Sequence, residues 1–257
     1  MKVLILAGGY GTRLSEETTL RPKPMVEIGG KPILWHIMKI YSHYGYYDFI
    51  IMLGYKGFYI KEYFANYFLH QCDVTMDIKN NSMEIHTNAA EPWRVTLVDT
   101  GVESMTGGRI KRVQNYVGNE QFMLTYGDGV TNVNINDMVR YHNSHQGSIT
   151  MLSSQPDGRF GALSIGDNGR VSRFLEKPKG DGGWVNSGFF ICNANVFDYI
   201  QPNDQVVFED EPLKSLAHNG ELYAFQYDGF WKPMDTLRDK IYLEDLWQQK
   251  CAPWKVW

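Results

Sequence analysis

Val3-Leu4-Ile5-Leu6-Ala7-Gly8-Gly9-Tyr10-Gly11-Thr12-Arg13-Leu14 is the stretch that decides how this chain is read. Its opening residues form an unbroken apolar run, which suits a strand covered on both faces. The run leads directly into a loop with three glycines. Without Cβ atoms, consecutive backbone N–H groups can turn toward one ligand, and such a nest attracts anions, phosphates above all. The loop therefore points to phosphate handling, with an ordinary structural turn as the competing reading.

Spacing excludes two common phosphate loops. A Walker A loop needs Gly-Lys-Ser/Thr at a helix start, and Gly30-Lys31-Pro32 carries proline where the hydroxyl belongs. The Rossmann fingerprint fails at its third glycine, where Leu14 stands. A pair of cations behind the loop, Arg13 and Lys23, separates it from a plain turn. Pro22 and Pro24 fix φ on both sides of Lys23 and bias it toward an extended backbone, so a flexible cation leaves a stiff platform.

Working outward, Pro32 suits the first turn of a helix with Ile33, Ile37, Ile40 and Tyr44 on its apolar face. Phe49-Ile-Ile-Met-Leu53 is a second buried strand, so residues 1–54 form a βαβ unit with the glycine loop at a strand's carboxyl end. Residues 57–70 read as an aromatic-rich helix. Val74–Ile78 and Val95–Val98 read as antiparallel strands at a sheet edge, with a turn at Asn80-Asn81-Ser82. A helix from Thr106 to Tyr116, a strand Phe122–Tyr126 and a helix from Asn136 to Ser144 restore the alternation. The expected fold is α/β: a Rossmann-like, mixed but mostly parallel sheet flanked by helices, with a small antiparallel edge region, in one domain spanning residues 1–257.

Composition agrees. At 257 residues, 43% hydrophobic and 14% aromatic, the chain can bury a sizeable core. A net charge of −4 argues against general nucleic-acid binding, which needs a basic face. Met1-Lys2 runs straight into the first strand and no apolar run is long enough to span a bilayer, so the expectation is a cytoplasmic protein away from membranes. Cys72, Cys192 and Cys251 form no Cys-x-x-Cys pair, which leaves buried or incidental thiols. His142-x-x-His145 lacks a third ligand and reads as an exposed helix end, as do His36 and His43. Trp247, Trp254 and Trp257 suit either core or a subunit interface.

Four further segments carry polar groups suited to a site. Gly127-Asp128-Gly129 sets a carboxylate after a strand, where an open α/β sheet presents ligand contacts, although Asp-Gly is also an ordinary turn. Glu176-Lys177-Pro178-Lys179 follows a strand from Val171 to Leu175 and is joined by Val185-Asn186-Ser187-Gly188. Trp231-Lys232-Pro233-Met234-Asp235-Thr236 precedes a helix that runs to about Gln248, for which Asp235 is a candidate N-cap. Asp99 to Arg112, polar and glycine-bearing at a strand-to-helix junction, is a candidate ligand-binding segment or a plain capped helix start.

Leu6-Ala-Gly-Gly-x-Gly-Thr-Arg-Leu14 with Pro22-Lys-Pro24 resembles the signature of the sugar-phosphate nucleotidyltransferases. Thr100-Gly-x-x-Ser-Met-Thr-Gly-Gly-Arg109, Thr125-Tyr-Gly-Asp-Gly129, Gly158-Arg-Phe-Gly161 and Phe230-Trp-x-Pro-Met-Asp-Thr236 are similar to the cytidylyl-transferring branch of that family. The resemblance implies CTP and glucose 1-phosphate as substrates, with a UTP- or TTP-dependent relative and a non-catalytic nucleotide-binding subunit as the alternative readings. It also implies Mg²⁺ as cofactor, no nucleic acid or membrane partner, and a homo-oligomer serving lipopolysaccharide O-antigen synthesis. It implies nucleotide contacts from Leu6, Ala7, Gly8, Gly9, Tyr10, Gly11, Thr12, Ser104, Arg109 and Gly127. Arg13 and Lys23 become catalytic cations, Arg13 toward the β and γ phosphates and Lys23 toward the α phosphate. Asp128 and Asp235 become metal ligands, and Gly161, Glu176, Lys177 and Asn186 bind the sugar phosphate.

Overall fold

The computed structural model of the chain describes residues 1–87, 90–156, 162–165, 170–175 and 183–257. Its frame is a seven-stranded sheet in the order Leu222–Tyr227, Ile149–Ser154, Val185–Cys192, Phe122–Tyr126, Lys2–Ala7, Asp48–Leu53, Arg94–Asp99. Lys2–Ala7 runs parallel to both neighbours, with Leu6 beside Met52 on one side and Tyr126 on the other. Val185–Cys192 is antiparallel to both of its neighbours, so the sheet is mixed and mostly parallel, as expected.

The quoted run stays a strand because both of its faces are covered. Val3, Ile5 and Ala7 enter one core cluster with helix Ile33–His43, and Leu4 enters the other with Ile110 and Phe190. Burying each large aliphatic side chain here contributes roughly 2 kcal/mol, so a charge on this strand would unseat the middle of the sheet.

Strand order then locates the site. From Lys2–Ala7 the chain builds Asp48–Leu53 and Arg94–Asp99 on one side, then returns to place Phe122–Tyr126 on the other. The order reverses at Lys2–Ala7, and an open α/β sheet admits ligands outside the carboxyl ends of strands at such a point. The glycine loop and Gly127-Asp128-Gly129 follow the carboxyl ends of these two adjacent strands.

Several local expectations need correction. Arg94–Asp99 pairs parallel with Asp48–Leu53, because the chain between them returns to the same end of the sheet; among the described residues of this region, only the hairpin Val74–Asp77 with Ser82–Ile85 is antiparallel. The helix expected over 57–70 is two, Gly57–Ala65 and Tyr67–Gln71. Pro32 stands before helix Ile33–His43 as its N-cap with ψ 144, not inside the first turn. Lys23 opens a 3-10 turn instead of staying extended: Met25 N–H donates to Pro22 O and Val26 N–H to Lys23 O, and these bonds outweigh the pre-proline bias.

His36 and His142 are buried, not exposed. His36 Nε2–H donates to Ile28 O at 2.9 Å, and Nδ1 accepts from Trp254 Nε1–H at 3.3 Å. Burial pushes its pKa down to about 4. Trp254 is fully buried, which assigns it to the core, and the half-buried Trp247 and Trp257 pack against that core around His36. His142 is held between Thr150 and Asn193. Cys192 is buried, Cys72 half-buried and Cys251 exposed.

Candidate active site

A cavity of about 770 Å³ opens at the switch point, lined by residues 6–13, 102–106 and 126–128 together with Lys23, Arg109 and Glu209. That volume suits a nucleotide-sized ligand. Gly11 adopts φ +66, and a Cβ there would stand 2.8 Å from Thr18 Cγ2. At Gly8 a Cβ would overlap the Arg109 guanidinium, which explains why the loop begins with glycine.

Arg109 is buried and donates to the carbonyls of Gly8 at 3.0 Å, Leu53 at 3.1 Å, Gly101 at 2.6 Å and Val102 at 3.0 Å, and to Thr100 Oγ1 at 2.9 Å. It thus ties the phosphate loop to the 100–102 segment. Burial lowers its pKa from the ordinary arginine value, yet among the described residues no carboxylate lies within ion-pair distance of it. A buried positive charge against the glycine loop favours an anion in the cavity. Ser104 is buried beside it, and the Tyr10 hydroxyl donates to the Glu103 carboxylate across the mouth.

The two predicted aspartates meet although far apart in sequence. Trp231–Pro233 pairs antiparallel with Gly129–Thr131, and Met234 N–H donates to Asp128 O at 2.8 Å, which brings Asp235 beside Asp128. Lys23 Nζ bridges them, at 2.5 Å from Asp128 Oδ2 and 2.6 Å from Asp235 Oδ1. Arg13 Nη1 reaches Asp235 Oδ2 at 2.9 Å. Burial pulls the Lys23 pKa down, but the two carboxylates outweigh it and the net shift is upward.

Asp235 is not the helix cap. Thr236 caps helix Leu237–Gln248 in a reciprocal box with Asp239, whose carboxylate accepts from Thr236 N–H at 2.9 Å and Asp235 N–H at 3.2 Å. Lys232 Nζ pairs with the same carboxylate at 2.8 Å. The cap therefore fixes the backbone of Asp235 and leaves its carboxylate to Lys23 and Arg13.

Among the described residues, no cluster of three or more His, Cys, Asp or Glu side chains is suited to a metal. Asp128 and Asp235 nevertheless face one cation, and Mg²⁺ is commonly held by one or two carboxylates plus substrate phosphates and water. The donor set fits a divalent ion that shares its shell with a substrate.

Of the residues expected in the site, 6–13, Lys23, Ser104, Arg109, Gly127 and Asp128 line the cavity. Asp235 joins through Lys23 and Arg13, and Asn186 through a hydrogen bond to Tyr126. Gly161, Glu176 and Lys177 lie outside the described residues. Sequence reasoning missed Glu209: it stands in Phe208-Glu209-Asp210-Glu211, an acidic run that reads as a solvated face.

A family model described as nucleotidyl transferase matches residues 2–241. The chain is 60% identical over 258 residues to glucose-1-phosphate cytidylyltransferase of Salmonella typhi, with all of both chains covered. It is 44% identical to a probable glucose-1-phosphate cytidylyltransferase of Bacillus subtilis, again covering both chains in full. In structure it is similar to HddC from Yersinia pseudotuberculosis, with a TM-score of 0.70 and 25% identity over 96% of this chain and 99% of that one. UDP-glucose pyrophosphorylase in complex with UDP-glucose shares the fold, with a TM-score of 0.70 at 18% identity over 97% and 98% of the chains. With the loop, the bridged aspartates and the match across nearly its whole length, the chain belongs to the nucleotidyl transferase family.

Proposed function

We propose that the chain transfers the cytidylyl group of CTP to α-D-glucose 1-phosphate, giving CDP-glucose and pyrophosphate. The observation that carries the reading is the convergence of Arg13, Lys23, Asp128 and Asp235 at a cavity floored by the glycine loop. The full-length likeness to glucose-1-phosphate cytidylyltransferases supports the choice of base and sugar. One domain spanning residues 1–257 houses the reaction.

A sugar 1-phosphate is ionised at neutral pH, so its oxygen attacks the α-phosphorus without a general base. A new P–O bond forms as the bond to the β-phosphate oxygen breaks, and pyrophosphate leaves with the electron pair. Repulsion between two polyanions is the obstacle, and preorganised cations lower it. Arg13 takes the departing β and γ phosphates, Lys23 the α-phosphate, and Lys177 the incoming sugar phosphate. Residues 6–12, Ser104, Arg109 and Gly127 hold the nucleotide, while Gly161, Glu176 and Asn186 hold the sugar phosphate. Mg²⁺ held by Asp128 and Asp235 would add neutralising charge on the phosphates.

A homo-oligomer is part of the proposal. In the hairpin Val74–Asp77 with Ser82–Ile85, Val74 pairs with Ile85 and Met76 with Met83, which sets four apolar residues on one face. Met76, Met83 and Ile85 are exposed there, beside Ile78. Such a patch supports self-association. No helix among the described residues is long and apolar enough to cross a membrane. We place the enzyme in the cytoplasm, supplying CDP-glucose for lipopolysaccharide O-antigen synthesis.

The test is pyrophosphate release with glucose 1-phosphate and Mg²⁺, offering CTP, UTP, TTP, ATP and GTP in parallel with no-sugar controls. Release with CTP is expected. Preference for another triphosphate would overturn the base assignment, and silence with all five would overturn the reaction.

A further inference from the structure

Asn186 stands at the near end of strand Val185–Cys192, one strand over from the cavity wall. Its carboxamide can make four hydrogen bonds, two as donor and two as acceptor. Gly188 N–H donates to Oδ1 at 2.8 Å, and one Nδ2–H donates to Tyr126 Oη at 3.1 Å. Among the described residues one N–H and one oxygen lone pair remain, which is the complement of a hydroxyl that both donates and accepts.

The direction of the Tyr126 proton decides whether that orientation holds. The phenol has a single proton, and it goes to Glu209 Oε1 at 2.5 Å, so its lone pairs face the Asn186 amide. Glu209 Oε2 in turn accepts from Thr106 Oγ1 at 2.6 Å, and that hydroxyl accepts from Phe208 N–H at 2.9 Å. Without the carboxylate, the phenol proton could turn toward Asn186 and oppose its N–H. The amide torsion is intrinsically broad, so the carboxamide would then lose its single orientation. Gly188, at φ +78, lets the Tyr126 ring lie against the backbone, where a Cβ would stand 2.4 Å from Cδ2.

We propose that Tyr126 and Glu209 are positioning residues for the sugar phosphate: Glu209 orients the Tyr126 phenol, which orients the Asn186 carboxamide toward a sugar hydroxyl. The same carboxylate holds Thr106, the first residue of the helix beside the nucleotide segment, so the relay also braces the wall between the two substrates. The proposal rests on the assignment of Asn186 to the sugar phosphate under the proposed function.

Steady-state kinetics with CTP and glucose 1-phosphate test it in Tyr126→Phe, Glu209→Ala, Glu209→Gln and Asn186→Ala, and in Tyr126→Phe combined with Asn186→Ala. Losing one orienting hydrogen bond should raise the KM for glucose 1-phosphate about tenfold in Tyr126→Phe and Glu209→Ala, with the KM for CTP within about twofold in Tyr126→Phe, which leaves the Glu209 bond to Thr106 in place. Glu209→Gln, which keeps an acceptor for the phenol, should stay within about threefold of the parent. Tyr126→Phe should add nothing once Asn186 is alanine. Because Tyr126→Phe removes a single oxygen, it decides the matter if Glu209→Ala fails to fold. An unchanged sugar-phosphate KM in Tyr126→Phe, or a full further loss on top of Asn186→Ala, overturns the relay. An unchanged KM in Asn186→Ala instead overturns the sugar assignment beneath it, so the two failures read differently.

Discussion

His36 offers a stability measurement whose size can be worked out. The unfolded imidazole titrates near its ordinary value of about 6.5. In the folded chain burial holds the group neutral down to about 4. A folded pKa below the unfolded one means that the unfolded state binds more protons as pH falls, so stability is complete above about 6.5 and drains away toward about 4. At 1.36 kcal/mol per unit, the fall from about 6.5 to about pH 5 removes about 2 kcal/mol. His36→Gln keeps a donor for Ile28 O but cannot titrate. Urea unfolding at about pH 7.5 and pH 5 should therefore show the parent losing about 2 kcal/mol more than the variant, a midpoint difference of up to roughly 0.7 M at a slope of about 3 kcal/mol/M. His142 and His145 remain in both proteins, so the difference isolates His36. Equal losses in parent and variant would refute the claim that this imidazole is buried in its neutral form.

Three further outcomes are expected at the site. Asp128→Ala or Asp235→Ala should cut Mg²⁺-dependent turnover by roughly a hundredfold or more while circular dichroism stays unchanged, and near-normal activity in both would sink the metal assignment. Lys23→Met should lower kcat, and because it removes the ammonium between the two carboxylates it should also tighten Mn²⁺ binding measured by calorimetry without nucleotide; no gain would mean that Lys23 does not compete for these oxygens. Gly11→Ala forces a side chain into a left-handed conformation against Thr18 and should cost about 1–3 kcal/mol in unfolding free energy, with an unaltered melting curve counting against the loop geometry.

The frame of the fold was legible because its signals are local. Apolar runs and glycine breaks mark Lys2–Ala7 and Phe122–Tyr126, and the second strand has the bounds expected of it. Pairing direction was less legible: alternation in Val95–Val98 is the same for either direction, and only the route of the intervening chain makes Arg94–Asp99 parallel. Histidine burial was hidden for a similar reason. His36 is enclosed by tryptophans more than two hundred residues away in sequence, which helical spacing cannot reveal. Asp235 was ambiguous because Asp and Thr both cap helices, and the structure gives that role to Thr236. Glu209 was invisible because its partners, Tyr126 and Thr106, come from other parts of the fold.

The contact between Trp254 and His36 also bears on how the chain comes to be folded. Helix Ile33–His43 is made early in synthesis, yet its histidine receives its tryptophan partner only when residue 254 leaves the ribosome. Until then the face that Trp247, Trp254 and Trp257 will cover stays open to solvent and to other nascent chains. Closure of this core is therefore a late step in biogenesis, and until it happens the uncovered face is apolar surface that a chaperone can hold.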